Sequence, residues 1–403
     1  MPSLNLDSLD RRFKWGLLIF SLLTVAGLIY SALVECVWPP WRVLRMDYAQ
    51  RLQARASDER GRALAEQFEI TIQQNVLPAL QTVDRCVTCH SGIDDPRMTG
   101  EKQPFRAHPG EYVLHHPPET FGCTICHRGQ GRALISEDAK AVDRHWDYPM
   151  VPVNLTQSSC GLCHTADEIA NRGGEKYALG KRFFENKGCL GCHKLNGRGG
   201  SLGAALDNEG AKVVGQLVMA HVRGEHTLPQ WLIEHFASPQ RVVPGSQMKP
   251  PQLSAEESEA LTVYVLSLQN RDLPRSYLPA AKHLEYYQAA HPAQVGGEAL
   301  FNTYCAVCHD TGRFGVYDGF FGKFIPAIRG SFFTQAASDK YLTENIRQGR
   351  PGTLMPAWGK TVGGLSDDDI SALRVFLTAT PPPDTEGLPP GMLARARDAT
   401  FKA

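Results

Sequence analysis

The sequence has no excess charge of either sign: 42 Lys and Arg stand against 42 Asp and Glu in 403 residues, a formal net charge of zero. A surface without a basic excess cannot neutralise a phosphate backbone, which argues against nucleic acid as a partner. Spare cysteine is also missing. Ten of the eleven cysteines fall in five short motifs, so only Cys36 is left over and no disulfide framework can be built. Long apolar runs are absent with one exception, GLLIFSLLTVAGLIYSALVECV between Trp15 and Trp38. A run of that length crosses a hydrocarbon core of about 30 Å as a helix. Arg11, Arg12 and Lys14 precede it, which places the N-terminus in the cytoplasm and everything after Trp38 outside. A cleaved signal peptide is the alternative, but the run is too long for an h-region. Lipidation of Cys36 is opposed by Glu35 where a small residue is needed, which leaves Cys36 as a small apolar side chain at the outer end of the helix.

What is abundant is one pentapeptide. Cys-x-x-Cys-His occurs as CVTCH at Cys86, CTICH at Cys123, CGLCH at Cys160, CLGCH at Cys189 and CAVCH at Cys305. A bare Cys-x-x-Cys also serves zinc ribbons and redox dithiols, but neither needs a histidine at a fixed offset. In c-type haem attachment the two thiols add to the vinyl groups and the adjacent imidazole is held under the iron. Random placement at this composition would give roughly 0.01 such motifs, so chance does not explain five. The expectation is five covalent haem c groups on Cys86/Cys89, Cys123/Cys126, Cys160/Cys163, Cys189/Cys192 and Cys305/Cys308. His90, His127, His164, His193 and His309 are the proximal iron ligands. Attachment of this kind is completed outside the cytoplasmic membrane, in a periplasm that would otherwise oxidise free thiol pairs.

The fold class expected is mainly α with much irregular loop: one N-terminal transmembrane helix, a loop-rich trihaem module and two similar C-terminal domains. Residues 1–46 form the cytoplasmic N-terminus and anchor, and 47–83 a charged stalk or docking helix. Residues 84–172 hold the first three motifs, which recur at a constant step of 37 residues with no convincing repeat between them. Proline-rich stretches such as HPGEYVLHHPP predict little regular structure there. From Gly173 the pattern becomes orderly, with domains at 173–270 and 294–380, a linker at 271–293 and a Pro-rich tail at 381–403. Gly180/Phe184 and Gly297/Phe301 keep one offset ahead of the fourth and fifth motifs. Each domain closes with a Ser-capped helix, Ser254 with Glu257 and Ser366 with Asp369 three residues on. Ala260, Leu261, Val263 and Tyr264 repeat as Ala372, Leu373, Val375 and Phe376, which marks a duplication.

Residues 174–270 and 294–380 resemble class I, mitochondrial-type cytochrome c domains, with N-terminal helix, haem motif, methionine loop and C-terminal helix in that order. The region 80–165 resembles the multihaem modules of membrane-anchored bacterial respiratory cytochromes. The resemblance implies Met248 in GSQMKPP and Met355 in GTLMPAWG as sixth ligands, each held by a proline-stiffened loop. His221, His226 and His235 compete for the fourth iron, though EHTLPQWLIEHF reads as a solvated and partly packed helix. In this family a proline after the haem motif offers its carbonyl to the proximal imidazole. Pro326 can serve His309, but Ala205 stands where the counterpart for His193 is expected.

For the first three haems the candidates are His108 and His116, each before proline, and His145. His115 is the member of the set that lies at the surface or supports another ligand, and Met98 and Met150 are fallbacks. No histidine lies between His164 and His193, so a bis-histidine third haem takes its ligand from upstream. His/Met irons sit at higher potential than bis-His irons, which orders the haems from low near the membrane to high in the C-terminal domains. The apolar helix contains no histidine and so holds no haem of its own. These readings converge on a non-catalytic electron-transfer subunit of a quinol-oxidising membrane complex. Integral-membrane subunits would be its donors, and its acceptor would be soluble or membrane-bound. A haem enzyme with one five-coordinate iron, of peroxidase or small-oxyanion reductase type, and a free-standing anchored relay are the alternatives.

Overall fold

The computed structural model describes residues 6–142, 146 and 148–379. It is mainly helical, with three short antiparallel hairpins among the described residues. Two compact units divide at Val151/Pro152. The cut falls inside the stretch 84–172, so the first two motifs belong to one unit and the third to the other.

In the first unit, α1 runs over Leu6–Cys36. Its most apolar window has a mean hydropathy of 2.4 and none of it is buried, so it is long and apolar enough to cross a membrane. Pro39 and Pro40 interrupt it, since proline lacks the amide a continuing helix needs, and Pro40 instead opens α2 (Pro40–Arg55) at the first turn, where that amide is dispensable. The stalk expected at 47–83 is not one helix. It is the end of α2, a short α3 (Glu59–Glu66) capped by Asp58, and a hairpin of β1 (Asn75–Leu77) with β2 (Thr82–Asp84). The Asp58 carboxylate accepts the Gly61 amide, which starts a new helix, and further on Pro78 opens only a 3-10 turn, Pro78–Leu80, between the two strands.

A small core of Tyr48, Leu52, Ala65, Met98 and Phe105 packs α2 and α3 against the loop after the first motif. Arg45 ties them together. Its guanidinium is almost wholly buried, donates to the Glu69 carbonyl at 2.7 Å and to Ser91 Oγ at 3.2 Å, and lies 4.3 Å over the Phe68 ring. Met98, a fallback ligand by sequence, is fully buried in this core.

In the second unit the fourth and fifth motifs sit in similar helical frames. The first frame is α4 (Glu175–Asn186), α5 (Leu228–Ala237) and α6 (Ala255–Ser267). After α7 (Ala280–Ala290), the second is α8 (Gly297–Leu300, continued by a π turn over Phe301–Cys305), α9 (Asp339–Gln348) and α10 (Asp367–Thr378). Each pair of terminal helices crosses at a glycine. A Cβ on Gly180 would lie 2.0 Å from the Ala260 carbonyl oxygen, and one on Gly297 would lie 2.1 Å from that of Ala372. The aromatic pairs match too, Phe184 with Tyr264 at 5.0 Å and Phe301 with Phe376 at 5.5 Å. Both capping boxes form, with Glu257 and Asp369 accepting the Ser254 and Ser366 amides.

The connection between the two frames is not a free linker. α7 stands within it, and Glu285 on that helix pairs with Lys181 of α4 at 3.6 Å. The frames also touch directly. Arg198 meets Asp369 at 3.1 Å with both side chains largely buried, Lys249 meets Asp318 at 2.8 Å, and the Gly199 amide donates to the Gly363 carbonyl at 3.1 Å. The third motif joins the first frame: the 3-10 segment Val153–Leu162 lies against α6, where a Cβ on Gly161 would come within 2.8 Å of Ser267 Cβ. Gln157 Oε1 accepts the Lys176 and Tyr177 amides that open α4.

Candidate haem-attachment sites

Each motif is folded into one tight turn. The His90, His127, His164 and His193 amides donate to the carbonyl of the first cysteine of their own motif at 2.9–3.0 Å. A spacing of three residues is about one helical turn, so both thiols leave the same side and the imidazole follows directly. None of the eleven cysteines forms a disulfide, and the ten in the motifs are half-buried. Burial pushes the Cys160 thiol up to about 11 and those of Cys189 and Cys305 to about 12, so these sulfurs are neutral thiols. Zinc would need converging thiolates. Among the described residues the one cluster of three such ligand atoms within 4.8 Å is Asp84, Cys86 and Cys123, and it is built for another purpose.

Asp84 is fully buried at the end of β2. One carboxylate oxygen accepts the Cys86 amide at 3.0 Å, and the other accepts the Cys123 and Thr124 amides at 2.7 and 3.0 Å. A buried carboxylate is stable when its lone pairs are filled in this way. It clamps the first two attachment turns side by side, a role no local pattern announced.

The imidazoles are oriented by their second nitrogens. His193 Nδ1 lies 2.7 Å from the Ala204 carbonyl, and a Cβ on Gly203 would meet the ring at 2.4 Å. The missing proline beside His193 is therefore replaced by the neighbouring alanine carbonyl, with Gly203 letting the loop close on the ring. His309 Nδ1 lies 3.3 Å from the Pro326 carbonyl as expected, and His164 Nδ1 lies 3.2 Å from Glu168. A carbonyl on Nδ1 requires the proton there, which leaves the Nε2 lone pair for a metal. Burial lowers the His90, His127, His193 and His309 pKa values, which keeps these rings neutral.

Met248 and Met355 sit half-buried in loops pinned alike. Their amides donate to Ser246 Oγ and Thr353 Oγ1, each at 3.2 Å. The Met248 carbonyl accepts Gln240 at 2.5 Å, and the Met355 carbonyl accepts the Arg350 amide at 3.1 Å. His221 and His226 are exposed. His235 differs from the sequence reading: it stacks on Trp231 at 4.4 Å, and its buried Nδ1 has no partner among the described residues. Burial, with His193 nearby, pulls it down to about 4. An orphaned nitrogen near His193 fits a site whose last partner is the prosthetic group. His115 is exposed, His116 is half-buried with its ring 5.3 Å from Phe121, and Met150 is exposed. His145 lies outside the described residues.

Residues 177–269 match the protein family described as Cytochrome c, and residues 292–377 match Cytochrome C oxidase, cbb3-type, subunit III. The chain is also 30% identical over 92 residues to a protein described as Cytochrome c oxidase subunit 2 from Alkalihalophilus pseudofirmus. That match covers 22% of this chain and 25% of the relative. No solved structure matches. The second unit thus holds two cytochrome c-type domains with covalently bound haem c, and the chain is an electron-transfer haem protein.

Proposed function

We propose that this chain is a membrane-anchored c-type cytochrome with five covalent haems, the electron-exit subunit of a quinol-oxidising complex. Its haem domains lie in the periplasm, and the acceptor is a soluble periplasmic or a membrane-bound protein. The observation that carries this is the fivefold motif presenting two thiols and an imidazole, closed into the same turn by a His-to-Cys backbone hydrogen bond in the first four and by a short helix in the fifth, and found three times outside the last two domains. The apolar helix supports the anchor, and its lack of histidine, which leaves it no haem of its own, supports leaving the quinone chemistry to integral-membrane partners. The names of the matched relatives, both oxidase subunits, support a place within a membrane complex.

Direct contact between the fourth and fifth attachment turns supports a continuous path: a Cβ on Gly191 would lie 2.2 Å from Val307 Cγ1. The ligand types order the path from bis-His near the anchor to His/Met at the far end. A pyridine haemochrome assay tests the count, with five per chain expected and fewer refuting it. Replacing Met355 by His is expected to lower one midpoint potential and abolish its near-infrared methionine-to-iron band. An unchanged potential and band would remove Met355 from the ligand set. Rapid stoichiometric carbon monoxide binding by the ferrous wild type, or turnover of peroxide or nitrite, would favour a haem enzyme with an open iron. Isolation from detergent without any companion subunit would favour a free-standing relay.

A further inference from the structure

We infer that His108 is the second axial ligand of the iron at the CTICH motif, opposite His127, an assignment that rests on reading that motif as a haem c site. The two rings stand 6.2 Å apart, centre to centre, at an interplanar angle of 65°. Two imidazoles bonded to one metal at about 2 Å each, through nitrogens about 1 Å from their ring centres, stand roughly 6 Å apart. The spacing therefore admits an iron between them.

The backbone holds His108 in that position. Its amide donates to the Ile93 carbonyl at 2.8 Å, and the preceding Ala107 amide donates to the Met98 carbonyl at 3.3 Å, beside the core under α2. His108 Nδ1 lies 2.9 Å from the Pro109 carbonyl. A carbonyl there fixes the proton on Nδ1 and frees Nε2, the arrangement that also orients His193 and His309. Asp84 completes the geometry by holding the first two turns together. One short segment then serves both motifs: Gln103 and Pro104 hydrogen-bond His90 of the first, and His108 at its far end faces His127 of the second.

The other nearby candidates face elsewhere. His116 has its ring against Phe121, 5.3 Å away, and His115 is exposed beside Glu111. The assignment pairs a proximal histidine with a distal one that precedes it in sequence.

The test uses the full-length holoprotein. His108→Ala is expected to keep the wild-type haem count while the ferrous protein goes from no carbon monoxide uptake to about one equivalent per chain. Unchanged uptake and unchanged low-spin signals would overturn the assignment. His108→Met keeps a ligand should the alanine variant fold poorly, and is expected to raise one midpoint potential; unchanged potentials would likewise overturn it. A background of Cys123→Ala with Cys126→Ala identifies the iron. There His108→Ala should open no further carbon monoxide site, and a newly opened site would assign His108 to another haem. The haem count of that background checks the reading of the motif itself: a loss of one haem upholds it, and no loss refutes the motif reading rather than the pairing.

Discussion

The closing helices α6 and α10 descend from one pattern but are buried differently. At α6 every side chain from Ala260 to Ser267 is buried, whereas at α10 Val375, the counterpart of Val263, is 57% exposed. Thr262, buried and donating to the Ser258 carbonyl at 2.7 Å, is replaced by Arg374, which reaches Asp339 at 2.6 Å. The difference lies in what covers each back. The segment carrying the third motif lies along α6, while α10 packs mainly against α8 and α9 of its own frame, with Arg198 of the first frame reaching its first turn at Asp369. A helix apolar all round is one that is covered all round. The run ALTVYVLSL, against ALRVFLTAT in the second frame, matches the packing of the segment with the third motif onto the first domain.

The shared part of the comparison is the easiest to break. Gly180→Val and Gly297→Val each place side-chain atoms where a backbone carbonyl already stands, with no flexible group to yield. Each is expected to cost about 3 kcal/mol or more and to lower haem incorporation in its own domain. Thermal unfolding with haem-stained gels of the two variants checks this. Tolerance of one and not the other would mean that the two crossings are not equivalent.

A smaller effect sharpens the difference at the proximal histidines. Gly203→Ala puts a methyl against the His193 ring and is expected to shift the spectrum and potential of one haem, whereas Pro326→Ala keeps the carbonyl that holds His309 and is expected to change little. Equal responses in the two would show that the Ala204 contact is incidental. What the two domains preserve is a carbonyl on Nδ1, not the residue that supplies it.

This explains why some of the site was legible in the chain and some was not. Attachment turns, glycine crossings and capping boxes rest on contacts within a few residues or on repeated offsets, and the pattern Gly180/Phe184 with Gly297/Phe301 exposed them directly. Asp84 acts on amides 39 and 40 positions away, so nothing around it signals a clamp. The attachment of the third motif to α4 depends on Gln157, an unremarkable residue until Lys176 and Tyr177 are folded above it. His235 reads as one more polar residue on a mixed helix, and only the stacking on Trp231 turns it inward. The proline expected beside His193 was sought by type, while the fold needed only a carbonyl at the right place.

The finest difference between the domains is a buried acid. Glu234 in α5 is only 8% exposed and accepts Gln230, the Arg223 and Gly224 amides and Arg241. Hydrogen bonding by Gln230, then by the Arg223 amide and Arg241, pulls it from 4.5 down to about 2 against the opposing effect of burial. In the second frame the acids on α9 pair at the surface instead, Glu344 with Arg347 and Asp339 with Arg374, a type worth little. Arg241 adjoins Gln240, whose side chain holds the Met248 carbonyl, so the acid is linked to the methionine loop. A depressed folded pKa gives stability that is complete above the unfolded value near 4.5 and disappears as the pH falls toward 2. On the proposed ligation by Met248, the near-infrared band of that haem, isolated in a Met355→His background, is therefore expected to weaken over that window. Glu234→Gln should weaken it already at neutral pH and flatten its acid dependence. The same acid midpoint in the Gln variant would mean that Glu234 does not support the loop, and that the two methionine loops are held by the Ser246 and Thr353 hydroxyls in the same way.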